Sequence, residues 1–171
     1  MSLVTLRVRA SIAVLLATVA VAAQSAEIRS PDGQTVVTVD VDENGAPRYS
    51  VARNGKVVMP AGFLGMRFQL QPAFDAGFRV AGTSTSVHDA TWEQPWGERR
   101  FVRDHHRELL VNFESAAGAG RKFNVRVRVF DDGLGFRYEV PQQPGYDAVN
   151  ITEELTEVRL DPDATQEITA W

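Results

Sequence analysis

The sequence predicts an all-β fold, an antiparallel β-sandwich, and three observations carry that prediction. Apolar residues recur at every second position through several short segments, which is the period of a half-buried strand. Turn signals (Asn44-Gly45, Asn54-Gly55, Asp131-Asp132-Gly133) separate those segments at short intervals. No long helical period is evident after the first 26 residues.

The opening segment is not part of that fold. Arg7 and Arg9 give it a basic start, Ala10 to Ala23 is almost wholly apolar, and small residues follow at Ala22, Ala23, Ser25 and Ala26. This is the pattern of a secretory signal peptide over residues 1–26, cleaved after Ala23 or Ala26, and the run is short for a permanent anchor. Residues 27–171 remain, about 145 in number and enough for one domain with its own core. The full chain carries 18 basic and 22 acidic residues; without Arg7 and Arg9 it carries 16 against 22, a net charge of −6. That balance argues against nucleic acid or an anionic membrane as partner. With no cysteine, an exported chain must be held together by burial alone, which suits a bacterial periplasm better than a disulfide scaffold.

Each strand is read in turn. In Thr35 to Val41, Val37, Val39 and Val41 share a face; after the Asn44-Gly45 turn, Tyr49 and Val51 resume the alternation on a returning strand. Asn54-Gly55 opens Lys56-Val57-Val58-Met59, and Pro60, lacking an amide hydrogen, is expected to end it. Arg99 to Leu110 fits a helix and a strand equally well, since Phe101, His105 and Leu109 are spaced four apart; the alternation from Glu108 favours strand for its second half. Leu109, Val111 and Phe113 then alternate with polar residues, as do Phe123, Val125, Val127 and Val129. Asp131-Asp132-Gly133 suits a three-residue hairpin loop with Gly133 left-handed, and Leu134, Phe136, Tyr138 and Val140 return. The result is a meander with one apolar and one polar face. Asp161-Pro162-Asp163-Ala164 reads as a closing turn.

Candidate chemistry centres on Trp92-Glu93-Gln94-Pro95-Trp96-Gly97-Glu98. Its Pro and Gly make it a loop rather than ordinary strand. Tryptophan faces stack on sugar rings and carboxylates accept hydroxyl hydrogen bonds, so Trp92, Trp96 and Glu98 are candidate substrate-pocket or domain-interface residues. The plainer reading packs both tryptophans beneath the loop. Glycosidases need two carboxylates, about 5 Å apart for retention or about 6.5–9.5 Å for inversion. Asp131 and Asp132 read better as loop caps, and Glu153, Glu154 and Glu157 as a solvated face. His88, His105 and His106 read as surface or edge residues; as strand neighbours, His105 and His106 point to opposite faces. Zinc spacing, a phosphate loop, a Gly-x-Ser-x-Gly elbow and an EF-hand are all absent from the sequence.

An ordered set of motifs resembles the amino-terminal domain of glycoside hydrolase family 97. The set comprises Ser30-Pro31-Asp32-Gly33, Leu64-Gly65-Met66, Trp92 with Trp96-Gly97-Glu98, and Val102-Arg103-Asp104-His105-His106-Arg107-Glu108-Leu109. Val129-Phe130-Asp131-Asp132-Gly133, Gly135-Phe136-Arg137-Tyr138 and Glu154-Leu155-Thr156-Glu157 continue it. His105 and His106 depart from the polar and Tyr pair usual there. The resemblance implies a super-sandwich related to the mutarotase fold, incomplete here at its carboxy end. It implies a parent enzyme exported to the periplasm or outer membrane of a Gram-negative bacterium, acting on α-linked glucosides or galactosides. It also implies calcium and a catalytic (β/α)8 barrel that carries the catalytic residues, so that no catalytic or metal residue is assigned to this chain and the chain alone is expected to be inactive. A free-standing carbohydrate-binding module and a mutarotase-like isomerase are the alternatives.

Overall fold

Two four-stranded antiparallel sheets face each other, and a two-stranded ladder closes one end. The computed structural model describes residues 25–118 and 120–164. The segment up to Gln24, where a signal peptide is expected, and the terminal Ile168 to Trp171 lie outside the described residues. The first sheet holds β1 (Ala26–Arg29), β2 (Thr35–Val41), β3 (Pro47–Arg53) and β4 (Lys56–Phe63) in that order. The second holds β6 (Phe78–Glu93), β7 (Phe101–Ser115), β8 (Lys122–Val129) and β9 (Leu134–Glu139), again in chain order. Between them in sequence, β5 (Met66–Phe68) pairs with β10 (Ile151–Glu154).

The core forms where the alternations meet. Val37, Val39, Tyr49 and Val51 from the first sheet are buried together with Leu109, Val111, Phe113, Phe123, Val125, Val127 and Val129 from the second. Phe74, between β5 and β6, sits at the aromatic centre and is fully buried. It stacks on Phe123 at 5.0 Å and Tyr146 at 5.1 Å and meets Phe68 edge-on at 4.9 Å. The β2–β3 turn shows why glycine is needed at position 45. Gly45 has φ 72° and donates to Asp42 O at 3.0 Å, while Phe78 donates to Gly45 O at 2.9 Å. A Cβ there would lie 2.5 Å from the Phe78 carbonyl oxygen, so the turn can dock on β6 only with glycine.

The outer face of the second sheet is polar and cross-braced. Arg126 on β8 pairs with Glu139 on β9 at 2.6 Å and with Glu108 on β7, whose other oxygen takes Arg128 at 2.8 Å. The Arg126 hydrogen bond, helped by Arg137 and only partly opposed by burial, holds Glu139 down to about 2. Burial pushes Glu108 up, but Arg128 and Arg126 together outweigh it and leave its pKa below the ordinary value.

Five expectations need correction. Pro60 does not end its strand but lies inside β4, where the register against β3 shifts between Tyr49 and Val51. A bulge on an outer strand tolerates a residue with no amide hydrogen. The later segment also bonds to β4 and its exit, Glu157 N–H to Phe63 O and Asp161 N–H to Val58 O, both at 2.9 Å. Phe101 to Leu110 is strand throughout, because β6 pairs with it residue for residue and long-range pairing overrides the local four-residue spacing. Trp92 and Glu93 likewise end β6 rather than lie in the loop, which runs only from Gln94 to Arg100. Gly133 is not left-handed, and the β8–β9 loop has four residues, closed by Phe130 N–H to Gly133 O at 2.8 Å. His106 is buried rather than at the surface.

Candidate functional site

The feature that sets this sandwich apart is a two-stranded ribbon. β8 accompanies β7 only as far as the Arg107–Val129 pair. Past that point β6 and β7 continue alone through six more residue pairs, from His88–His106 to Glu93–Phe101, reaching roughly 20 Å at about 3.4 Å per residue. The two strands stay in register on either side of the Pro95-Trp96-Gly97 tip, residue for residue from Gly82–Asn112 outward.

The tip is held by its own polar groups. Gln94 N–H donates to Arg100 O at 2.9 Å, and the Gln94 side-chain amide donates to Arg99 O at 2.8 Å. Gly97 has φ 130°, with the Gln94 amide where a Cβ would stand. Arg100 pairs with Glu93 at 2.8 Å. Lower down, Arg103 grips Asp89 with two bonds of 2.7 Å, and those bonds lower the Asp89 pKa.

Register assigns the ribbon two faces. Val87, Asp89, Thr91, Glu93, Phe101, Arg103, His105 and Arg107 share the face continuous with the sandwich interior; His88, Ala90, Trp92, Val102, Asp104 and His106 share the other. On that second face Asp104 Oδ1 meets His106 Nδ1 at 2.5 Å, and its Oδ2 lies 3.6 Å from His88 Nε2. The two imidazoles stack at 5.0 Å, and His106 also packs on Phe130 at 5.0 Å. His106 is only 3 % exposed. Sequence reading missed this cluster because it needs the β6–β7 register, which no local pattern carries.

The three candidate residues lie at the far end of the ribbon but are not packed together. Trp92 is 50 % exposed at the end of β6 and Trp96 is 84 % exposed at the tip, so neither forms a mini-core under the loop. Glu98 is exposed on the same tip. An open cleft of about 510 Å³ lies at the ribbon's root between β1 and β6, lined by Ile28, Arg29, Thr85, Val87 and Arg107, and includes none of the three. Asp131 is a cap for a neighbouring turn, its Oδ1 accepting from Asp32 N–H at 2.8 Å. Glu153 pairs with Arg67 at 2.6 Å, and Glu157 accepts from Phe63 N–H at 3.2 Å. Among the described residues no three His, Asp or Glu side chains converge on a point that could hold a metal ion. What the ribbon offers is a projecting surface of exposed aromatic and charged side chains, with no nucleophile and base in contact.

These features define a class: a strand-built sandwich domain from which a long two-stranded ribbon projects. The chain belongs to the glycosyl-hydrolase 97 N-terminal family, whose model matches residues 28–171. It is similar to a glycoside hydrolase family 97 enzyme from Pseudoalteromonas sp. strain K8, solved in complex with panose, at 37 % identity and a TM-score of 0.76, covering 80 % of this chain and 20 % of that one. It is similar to a crystal structure of a β-arabinopyranosidase at 29 % identity and a TM-score of 0.73, covering 81 % of this chain and 22 % of that one. A probable retaining α-galactosidase of Streptomyces bingchenggensis is 29 % identical over 127 residues, 74 % of this chain and 18 % of the relative. The chain therefore spans about a fifth of the length of the relatives it matches.

Proposed function

We propose that this chain is the amino-terminal sandwich portion of an exported glycoside hydrolase acting on α-linked galactosides or glucosides. Its β6–β7 ribbon braces the catalytic domain and shapes the mouth of the sugar pocket. The observation that carries this reading is the ribbon itself. A lone two-stranded ribbon is marginal in water, and one that displays Val87, Trp92, Trp96 and Phe101 to solvent is built to be covered. Family membership and the one-fifth coverage support a catalytic domain of the same polypeptide as the cover. The relatives' names favour galactosides, arabinosides or panose-like glucosides as the substrate class.

In this reading the catalytic carboxylates belong to the catalytic domain, and the calcium ligands, a glutamate of the sandwich among them, are not assigned to residues of this chain. Export to the periplasm or outer membrane rests on the basic-then-apolar start of the sequence. Ala26 opens β1 opposite Val39, so cleavage after Ala23 leaves that strand whole. The test compares the purified 171-residue chain with the full-length parent on chromogenic α-galactoside and α-glucoside. Turnover by the parent alone is expected; turnover by the short chain sinks the proposal.

A second reading, a carbohydrate-binding module, is favoured by the exposed Trp96 face. Calorimetric heat from maltooligosaccharides on the 171-residue chain, abolished by Trp96→Ala, would establish it. The isomerase reading needs a His and a Glu converging in a cleft; the buried His106 instead has Asp104 as its partner.

A further inference from the structure

Asn54 is the one residue other than glycine, among the described residues, that holds a left-handed backbone, with φ 52°. With Gly55 at φ 79° it forms the two-residue turn between β3 and β4, where Arg53 faces Lys56. Both turn residues are exposed, and a Cβ added at Gly55 would meet no atom within 4 Å. The Asn54 carboxamide and the Gly55 N–H bond to nothing among the described residues. The one tie of the turn outside its hairpin, Asn54 N–H to Gln34 O at 2.9 Å, holds neither of these groups. Only Ala52–Val57 and Arg53–Lys56 brace the turn before the ladder shifts at Val51.

The second Asn-Gly step of the chain is built the opposite way. Gly45 N–H donates to Asp42 O at 3.0 Å, and Asn44 N–H to the Asp42 carboxylate at 2.8 Å. The Asn44 and Gly45 carbonyls accept from Gly77 and Phe78, each at 2.9 Å. One dipeptide therefore occurs twice, once with an open backbone and once clamped on β6.

We propose that Asn54-Gly55 is a site of spontaneous covalent modification, and that docking on β6 shields Asn44-Gly45 from the same reaction. The Gly55 backbone nitrogen attacks the side-chain carbonyl carbon of Asn54. A bond forms between Gly55 N and Asn54 Cγ, the Cγ–Nδ2 bond breaks, and ammonia leaves with the proton given up by Gly55. Water then opens the cyclic imide at either carbonyl and leaves aspartate or isoaspartate at position 54. Glycine suits the attack because no side chain shields its nitrogen or restricts its backbone. Asn54 has only to leave its left-handed well, on an exposed turn. Gly45 must first break its bond to Asp42 and lift off Phe78. Either product places a carboxylate between Arg53 and Lys56, and isoaspartate also inserts a methylene into the main chain of the turn. Arg53 ties β3 to the β8–β9 loop, donating to Thr35 Oγ1 at 2.7 Å and to the Asp131 carbonyl at 2.9 Å. The modification therefore changes the charge beside a link between the two sheets as the protein ages. It does so whatever sugar chemistry the parent performs.

Peptide mapping by mass spectrometry tests this on the purified 171-residue chain, held folded in mildly alkaline buffer and sampled over days. Conversion of Asn54 to aspartate and isoaspartate is expected roughly tenfold faster than conversion of Asn44, the factor that a local opening free energy of about 1.4 kcal/mol imposes on the docked turn. In urea that unfolds the chain, both asparagines precede a freely moving glycine, and the two rates converge. Equal rates in the folded chain overturn the proposal, as does conversion of Asn44 ahead of Asn54. A difference that persists undiminished in urea also overturns it, since local sequence rather than the fold would then set the rates. In Asn54→Gln, whose longer side chain closes the imide ring far more slowly, conversion at the β3–β4 turn stops and that at Asn44 is unchanged; continued conversion at position 54 in this variant counts against attack by Gly55.

Discussion

Two side chains show how sharply individual positions are specified. Gly45 has a left-handed backbone and a Phe78 carbonyl 2.5 Å from where a Cβ would sit. Gly45→Ala must strain the turn and push it off β6, at a cost of about 1–3 kcal/mol, read as a lower denaturation midpoint with unchanged m-value. Phe74 is enclosed by Phe123, Tyr146, Phe68 and Phe78. Phe74→Ala leaves a cavity among its ring neighbours and should cost about 3–5 kcal/mol, a large fraction of a domain's net stability, read as a lowered melting temperature. The glycine was legible as half of an Asn-Gly turn. The phenylalanine was not, because it lies outside any alternating run and half of its enclosure comes from Phe123 and Tyr146, far along the chain. The same holds for His106: its neighbour relation to His105 could be read, but its packing on Phe130 and His88 could not.

At the level of the strand, the outward row Glu108, Arg126, Arg128, Arg137 and Glu139 ties β7, β8 and β9 together. Glu139 titrates near 2 in the folded chain against an ordinary 4.5, and Glu108 is also lowered. A carboxylate with a depressed folded pKa stabilises the fold above its unfolded pKa, and that stability is lost as pH falls through the folded pKa. The prediction is a fall in urea-unfolding free energy between pH 4.5 and about 2, flattened in Arg126→Met, which removes the shared partner of both glutamates. An unaltered slope in that variant would show that the row does not govern acid stability. The alternation of Arg126 and Arg128 with valines made this polar face readable from sequence; which glutamates they meet depended on the register of three strands. Pro60 was misread for a related reason, since its effect depends on whether the strand is central or outer, and no local pattern carries that.

For the molecule as a whole, the sandwich class, the apolar faces and the family motifs were legible because each is written in local alternation or in ordered short motifs. The long ribbon was not, since the length of a hairpin is fixed by how far two strands agree in register. Trp96 tests the role given to that ribbon. It is 84 % exposed and touches no core residue, so Trp96→Ala should shift the stability of the 171-residue chain by no more than about 0.5 kcal/mol. In the full-length parent the same change should raise KM severalfold or lower the melting temperature, because the proposed role covers the ring there. Identical stability and kinetics in the parent variant would remove the ribbon from the interface.

The order of the strands has a further consequence for how such a protein is made. In both four-stranded sheets every strand bonds to its immediate successor in the chain, and the β5–β10 ladder is the exception among the described residues, joining segments more than eighty residues apart. Ladders between successive strands close short loops and form early. A chain that emerges amino-terminus first can therefore zip up each layer in turn, and the β5–β10 clasp fastens those layers last.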